Sequence, residues 1–225
     1  TIAASSVVRA DDIVKNNGFI YFSLFVNGQT RIGDDADTTS TDSDAWVLEY
    51  TYTNSPATFS YSRIAHKISG VAGSLDRIFS IQFDSSGDMY MIGFSQSVFD
   101  SASFIPSSLS STVELLVVKF KNTNFEWMVR STNSQAAVYG HSLHVDEETS
   151  EVRILVLSGN SPTITVSDTA HNISNPEGAL LLYYLSPDDG SLIKYENLVA
   201  QSDTGLEYSY PRLVQRNRNL FISFV

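Results

Sequence analysis

Cysteine is absent from the 225 residues. That excludes disulfides, thiolate metal sites and a thiol nucleophile together. It leaves the compartment open, because a large apolar core needs no covalent staples. No apolar run approaches the ~18 residues of a membrane-spanning helix. Positive charge is scarce: 14 Lys and Arg stand against 25 Asp and Glu, for a formal net charge of -11. Such a surface repels phosphate backbones and anionic headgroups, so nucleic acid and membrane surfaces are set aside as partners. Helical periodicity is also missing, and no helix cap precedes an apolar stripe. No signal peptide is recognisable, and the chain opens on Thr1 rather than Met. This predicts a processed form or a piece of something longer.

Hydrophobic residues make up 42% of the chain and aromatics 12%, enough to bury a sizeable core. They are arranged in a repeat. Four apolar runs begin at Ile20, Met89, Val152 and Leu220, spaced 69, 63 and 68 residues apart. Each follows a shorter apolar segment, ending at Val14, Phe83, Val145 and Val214, and a polar turn. The turns include KNNGF and DSSGD, whose Gly, Asn, Asp and Ser reverse a chain at little cost. Each pair therefore reads as a β-hairpin of strands A and B. Strand B is apolar at nearly every position rather than at alternate ones, the mark of a strand covered on both faces.

A long polar loop and two further strands follow each hairpin. The loops run about 27–43, 97–112 and 160–177. The C strands are 45–53, 113–120 and 179–185, and the D strands 58–66, 125–130 and 191–199. Four antiparallel strands repeated in series predict an all-β fold, a β-propeller of four-stranded blades. About 3.5 blades are present, at roughly 5–68, 69–136, 137–204 and a half blade at 205–225. The expectation is an incomplete propeller, finished by remaining blades or by another protein chain.

The second repeat, DRIFSIQFDSSGDMYMIGFSQS followed by VELLVVKFKN, resembles the bacterial SBBP-type β-propeller repeat. Asp84, Ser85, Ser86, Gly87, Tyr90, Gly93, Ser95 and Lys119 stand at matching places, and the first repeat adds Asp44, Ala45, Trp46 and Val47. The match is good for the second repeat, partial for the first and weak beyond, where DEETSE and QRNRN lack the turn glycine. The resemblance implies about seven blades, an extracellular or cell-surface setting and no defined chemistry.

By analogy with propellers, the three long B–C loops are expected to share one rim, where binding residues on rigid scaffolds gather. The first loop carries Asp34, Asp35, Asp37, Asp42 and Asp44. Such a cluster is a candidate calcium rim. It does not follow the EF-hand spacing, and a solvated acidic loop is the plainer reading. Phe99 and Phe104 are candidates for stacking on a glycan or partner, or for packing over their own scaffold. Asn172-Ile173-Ser174 is an N-glycosylation acceptor, expected in a loop.

His141 and His144 lie three apart on an A strand, hence on opposite faces, and read as structural. Asp146, Glu147 and Glu148 read as a solvated turn. No G-x-S-x-G or H-E-x-x-H pattern occurs, and no glycine-rich phosphate loop precedes a helix. No cofactor is indicated. The leading expectation is a non-enzymatic structural, adhesive or protein-interaction module of a secreted or surface assembly. Carbohydrate or calcium binding by the B–C loops is the alternative. A propeller enzyme completed by further blades is the second.

Overall fold

The computed structural model describes residues 2–4, 7–32, 39–54, 57–100, 102–132, 137–159, 163–166, 169–172, 179–200, 211–216 and 219–223. Among these residues every regular element is a strand. The first unit opens with β1 (Ile2–Ala4) and β2 (Val8–Asn16), which pair end to end along β3 (Phe19–Ile32). It continues through β4 (Thr39–Asn54) and β5 (Ala57–Ile68). The second unit is β6 (Asp76–Phe83), β7 (Met89–Phe99), β8 (Pro106–Lys121) and β9 (Asn124–Thr132). The third begins with β10 (Val138–Asp146) and β11 (Glu151–Ser158). A short hairpin, β12 (Thr163–Val166) and β13 (Thr169–Asn172), interrupts it before β14 (Ala179–Leu185) and β15 (Leu192–Ala200). A further hairpin follows, β16 (Arg212–Arg216) and β17 (Asn219–Ser223). Within each unit, strands A to D pair antiparallel in chain order.

The turns explain the hairpins. Asn17 and Gly18 close β2 on β3 with φ of 46° and 82°, the left-handed pair of a two-residue type I′ loop. In the second unit, Asp84 Oδ1 accepts the N–H groups of Ser86 and Asp88, both at 2.9 Å. Gly87, at φ 86°, supplies the left-handed residue that this turn requires.

Consecutive residues of the central strands point into different cores. Met91, Leu116 and Val118 join Tyr21, Val47 and Ile68 of the first unit. Ile92, Leu115 and Val117 join Leu143, Ile154 and Leu181 of the third. The face of the third unit turned away from the second, with Leu182 and Tyr184, packs on Leu213, Leu220 and Ile222 of the β16–β17 hairpin. Each fully buried aliphatic side chain contributes about 2 kcal/mol. The sheets are thus held face to face, and the doubly apolar B strands follow from that. The A strands are neighbours in series: β2 packs on β6, β6 on β10, and β10 on β16.

The long loops depart from expectation. The second is largely strand: β7 and β8 extend into a hairpin pairing Ser97 with Leu109 and Phe99 with Pro106. Its apolar tip turns inward, with Phe99 buried and Phe104 packed beside it in the core between units one and two. The third contains the β12–β13 hairpin, which pairs with the outer strand of unit two, Thr165 with Thr132 and Val166 with Ser131. Both insertions are thus paired into the sheet of the second unit.

Candidate functional site

The four A strands meet at one junction, and a recurrent irregularity shapes it. Strand register slips between Ala10 and Asp12, between Ile78 and Ser80, and between Gly140 and Ser142. The extra residues are Asp11, Phe79 and His141, at the same place in each repeat. A β-bulge adds local twist and frees backbone groups from the ladder. Side chains of these strands also reach the backbone of the next A strand. Asp12 Oδ2 accepts the Ile81 N–H at 2.9 Å, Gln82 Oε1 accepts the Val145 N–H at 3.0 Å, and Ser142 Oγ accepts the Leu213 N–H at 3.1 Å. Each bond runs from one unit to the next.

Arg212, on β16, completes the junction. Its guanidinium donates to the carbonyl of Phe79 at 3.2 Å and to that of Asp11 at 3.0 Å. One side chain therefore satisfies the bulge carbonyls of two other units. Above it runs a column of side chains. Arg77 grips Asp11 through Nε–Oδ2 at 2.8 Å and Nη2–Oδ1 at 2.5 Å, and its guanidinium lies 4.4 Å from the centre of the Phe79 ring. Phe79 in turn stacks on His141, with centroids 5.0 Å apart. Burial, with the charges of Arg212 and Arg77 beside it, pushes the His141 imidazole down to about 4.

The A strands also line a cleft of about 450 Å³, bounded by Asp12–Asn16, Ser80–Phe83, Ser142 and Arg212–Val214. Four of its polar groups, Asp12, Gln82, Ser142 and Arg212, are committed to backbone. The arrangement is suited to holding units together. It presents no nucleophile beside a base among these lining groups.

The sequence-expected residues fare differently. Asp34, Asp35 and Asp37 lie outside the described residues. Asp42 is placed within β4 by its backbone. Asp44 is buried, 4% exposed. It accepts a hydrogen bond from Ser69 Oγ at 3.1 Å and pairs with Lys67 Nζ at 3.4 Å, so it is a tie rather than a rim ligand. Phe99 is 5% exposed and stacks on Phe104 at 4.7 Å, which stacks on Phe125 at 5.4 Å. Neither ring faces solvent as a docking platform, because the β7–β8 hairpin folds them under. Asn172 falls in β13, paired with Thr163, and not in an open loop. Asp146 is buried, bonded to the N–H groups of Glu148 and Thr149 and to Arg153 at 2.8 Å. The solvated-turn reading therefore holds only for the exposed Glu147 and Glu148. The bulge at His141 also breaks the alternation on which opposite faces for His141 and His144 relied.

Sequence reasoning missed Arg212 and the acceptor positions Asp12, Gln82 and Ser142. One signal was available: each of the three bulge residues is followed by Asp or Ser and then by Ile or Leu, at Asp12-Ile13, Ser80-Ile81 and Ser142-Leu143. Among the described residues, no group of three or more His, Asp or Glu side chains is arranged to hold a metal ion. Among the described residues no helix is long and apolar enough to cross a membrane. No protein-family model, curated protein or solved structure matches this chain.

Proposed function

We propose that the chain is a non-enzymatic propeller-type module whose sheets radiate as blades from the A-strand junction, and that it serves as an interaction scaffold in a secreted or surface assembly. The observation that carries this reading is the serial lock at the bulges, where the polar groups of the junction are spent on joining one unit to the next. The face-to-face cores and the insertions at the outer strands support it further. A scaffold of this kind offers a rigid frame, and partners meet its outer strands and turns.

The cysteine-free chain suits a direct test of the radial arrangement. Single cysteines are introduced in pairs among Asn17, Ser86 and Glu148, all exposed in the A–B turns, and spin-label distances are measured. Radial units place the first and third turns closer together than the sum of the two neighbour distances. A straight stack makes that distance equal the sum and overturns the propeller reading. For function, wild type and Asp12→Asn are assayed against ester, glycoside and phosphate-ester substrates. No turnover is expected from either. Saturable turnover lost in Asp12→Asn would show an enzyme.

A further inference from the structure

Each described junction between neighbouring units holds one buried or half-buried histidine. His66, on β5 of the first unit, lies 4.0 Å, ring to ring, from Phe120 of the second. His141, on β10 of the third unit, stacks on Phe79 of the second. His144, on the same strand, is hydrogen-bonded to Gln215 of the β16–β17 hairpin. The hydrogen-bond ladders inside the sheets contain no titrating group, so these rings place acid-sensitive chemistry on the surfaces between sheets. We infer that the contacts between units are an acid-labile device: protonation of His66, His141 and His144 separates the units along their faces while each sheet keeps its strands. This rests on the reading of the sheets as separate packed blades.

The charged neighbours set the sign. His66 faces Arg63 and Glu49 of its own unit and the uncharged Phe120 of the next. Burial dominates, and the imidazole is pushed down to about 4. His141 faces Arg77 from β6 and Arg212 from β16, two cations that oppose a third. Asp11 is already gripped by Arg77, and Tyr139 lies on the same strand. His144 faces Asp146, which favours its charge, and Arg153, which opposes it. Burial prevails and lowers its affinity for a proton. A histidine whose folded value is depressed contributes no penalty while both states are neutral. As pH falls below the ordinary value of ~6.5, the separated state takes up protons that the packed state refuses. The packed state is therefore progressively disfavoured from about pH 6.5 down to about pH 4.

The experiment follows the three rings directly. Imidazole C–H signals of the whole chain are titrated by NMR from pH 8 to 3.5. In parallel, near-UV circular dichroism reports the packing of Tyr and Trp between sheets, and far-UV dichroism reports the strands. His66 and His141 are expected to stay neutral through pH 6 and His144 to titrate below an ordinary histidine, with the near-UV signal lost before the far-UV signal as they charge. His66→Phe/His141→Phe is expected to lower the near-UV midpoint by about one unit. Should that pair fail to fold, His144→Gln is read in its place, with a smaller shift in the same direction. Histidines titrating near 6.5 in the packed state overturn the inference. So does simultaneous loss of both signals, and so does a midpoint indifferent to the substitutions, which assigns acid lability to carboxylates. None of these outcomes alters the spin-label distances at neutral pH, so this inference and the radial arrangement stand or fall separately.

Discussion

The carbonyl of Arg77 rests against the bare Cα of Gly93, so closely that a methyl group on Gly93 would overlap it. The contact arises because β6 bulges at Phe79, just after Ile78, the residue paired with Gly93. The glycine is a consequence of the bulge across the ladder. Gly93→Ala has no flexible neighbour to push aside, only backbone. It is expected to destabilise the chain by about 3 kcal/mol, within the range of severe core substitutions, read as a lower urea midpoint with an unchanged slope. An unchanged midpoint would mean that β6 follows a different path.

Arg212 makes a second strong claim. Lysine keeps the charge but has no planar fork to reach two carbonyls at once. Arg212→Lys is expected to lose about 2 kcal/mol of stability, since hydrogen bonds from charged groups exceed ordinary ones. Hydrogen exchange should rise at Leu213 and Ile81, whose amides bond across the junction. If exchange rises only at β16 and β17, Arg212 anchors its own hairpin and does not tie the units.

One buried pair can be dissected by a cycle. Lys119 Nζ lies 3.2 Å from Asp88 Oδ2 and donates to the Pro187 carbonyl at 3.0 Å, a carbonyl that also accepts from Trp127 Nε1 at 3.0 Å. Lys119→Met strands the carboxylate of Asp88, only 6% exposed, and is expected to cost about 3 kcal/mol. Adding Asp88→Asn removes the stranded charge and should recover at least about 1 kcal/mol. Strictly additive losses would show that the two side chains do not interact.

A turn offers stabilisation. Asn122 and Thr123 join β8 to β9 with φ of 48° and 72°, the same two-residue geometry as Asn17 and Gly18. A β-branched threonine is strained there. Thr123→Gly is expected to raise stability by about 1 kcal/mol, visible as a higher melting temperature. A fall would mean that the gain in unfolded-chain freedom outweighs the relief.

The repeat and its strand pairs were legible because the signal is local. Runs such as MYMIGF place apolar side chains on both faces, and DSSGD carries its turn chemistry in five residues. The insertions were hidden because Ser and Thr make a strand read as a loop. Phe99 and Phe104 looked like rim aromatics only because the residues around them, DSAS and PSSLSST, are polar. The bulges left only the faint Asp/Ser-Ile/Leu signal after each of them, since a bulge is a relation between two strands. Arg212 was invisible for the same reason: its acceptors are backbone carbonyls 133 and 201 residues away, and carbonyls leave no trace in composition.

The β12–β13 hairpin, borrowed from the third repeat to line the outer strand of the second, sets an order of events on the ribosome. Ser131 and Thr132, at the end of that strand, must wait with their outer edge open to any passing strand until Thr165 and Val166 have emerged. During that interval the nascent second sheet is most exposed to mispairing. A pause in translation between residues 132 and 163 would therefore lower the yield of soluble chain, even though no residue of the finished molecule had changed.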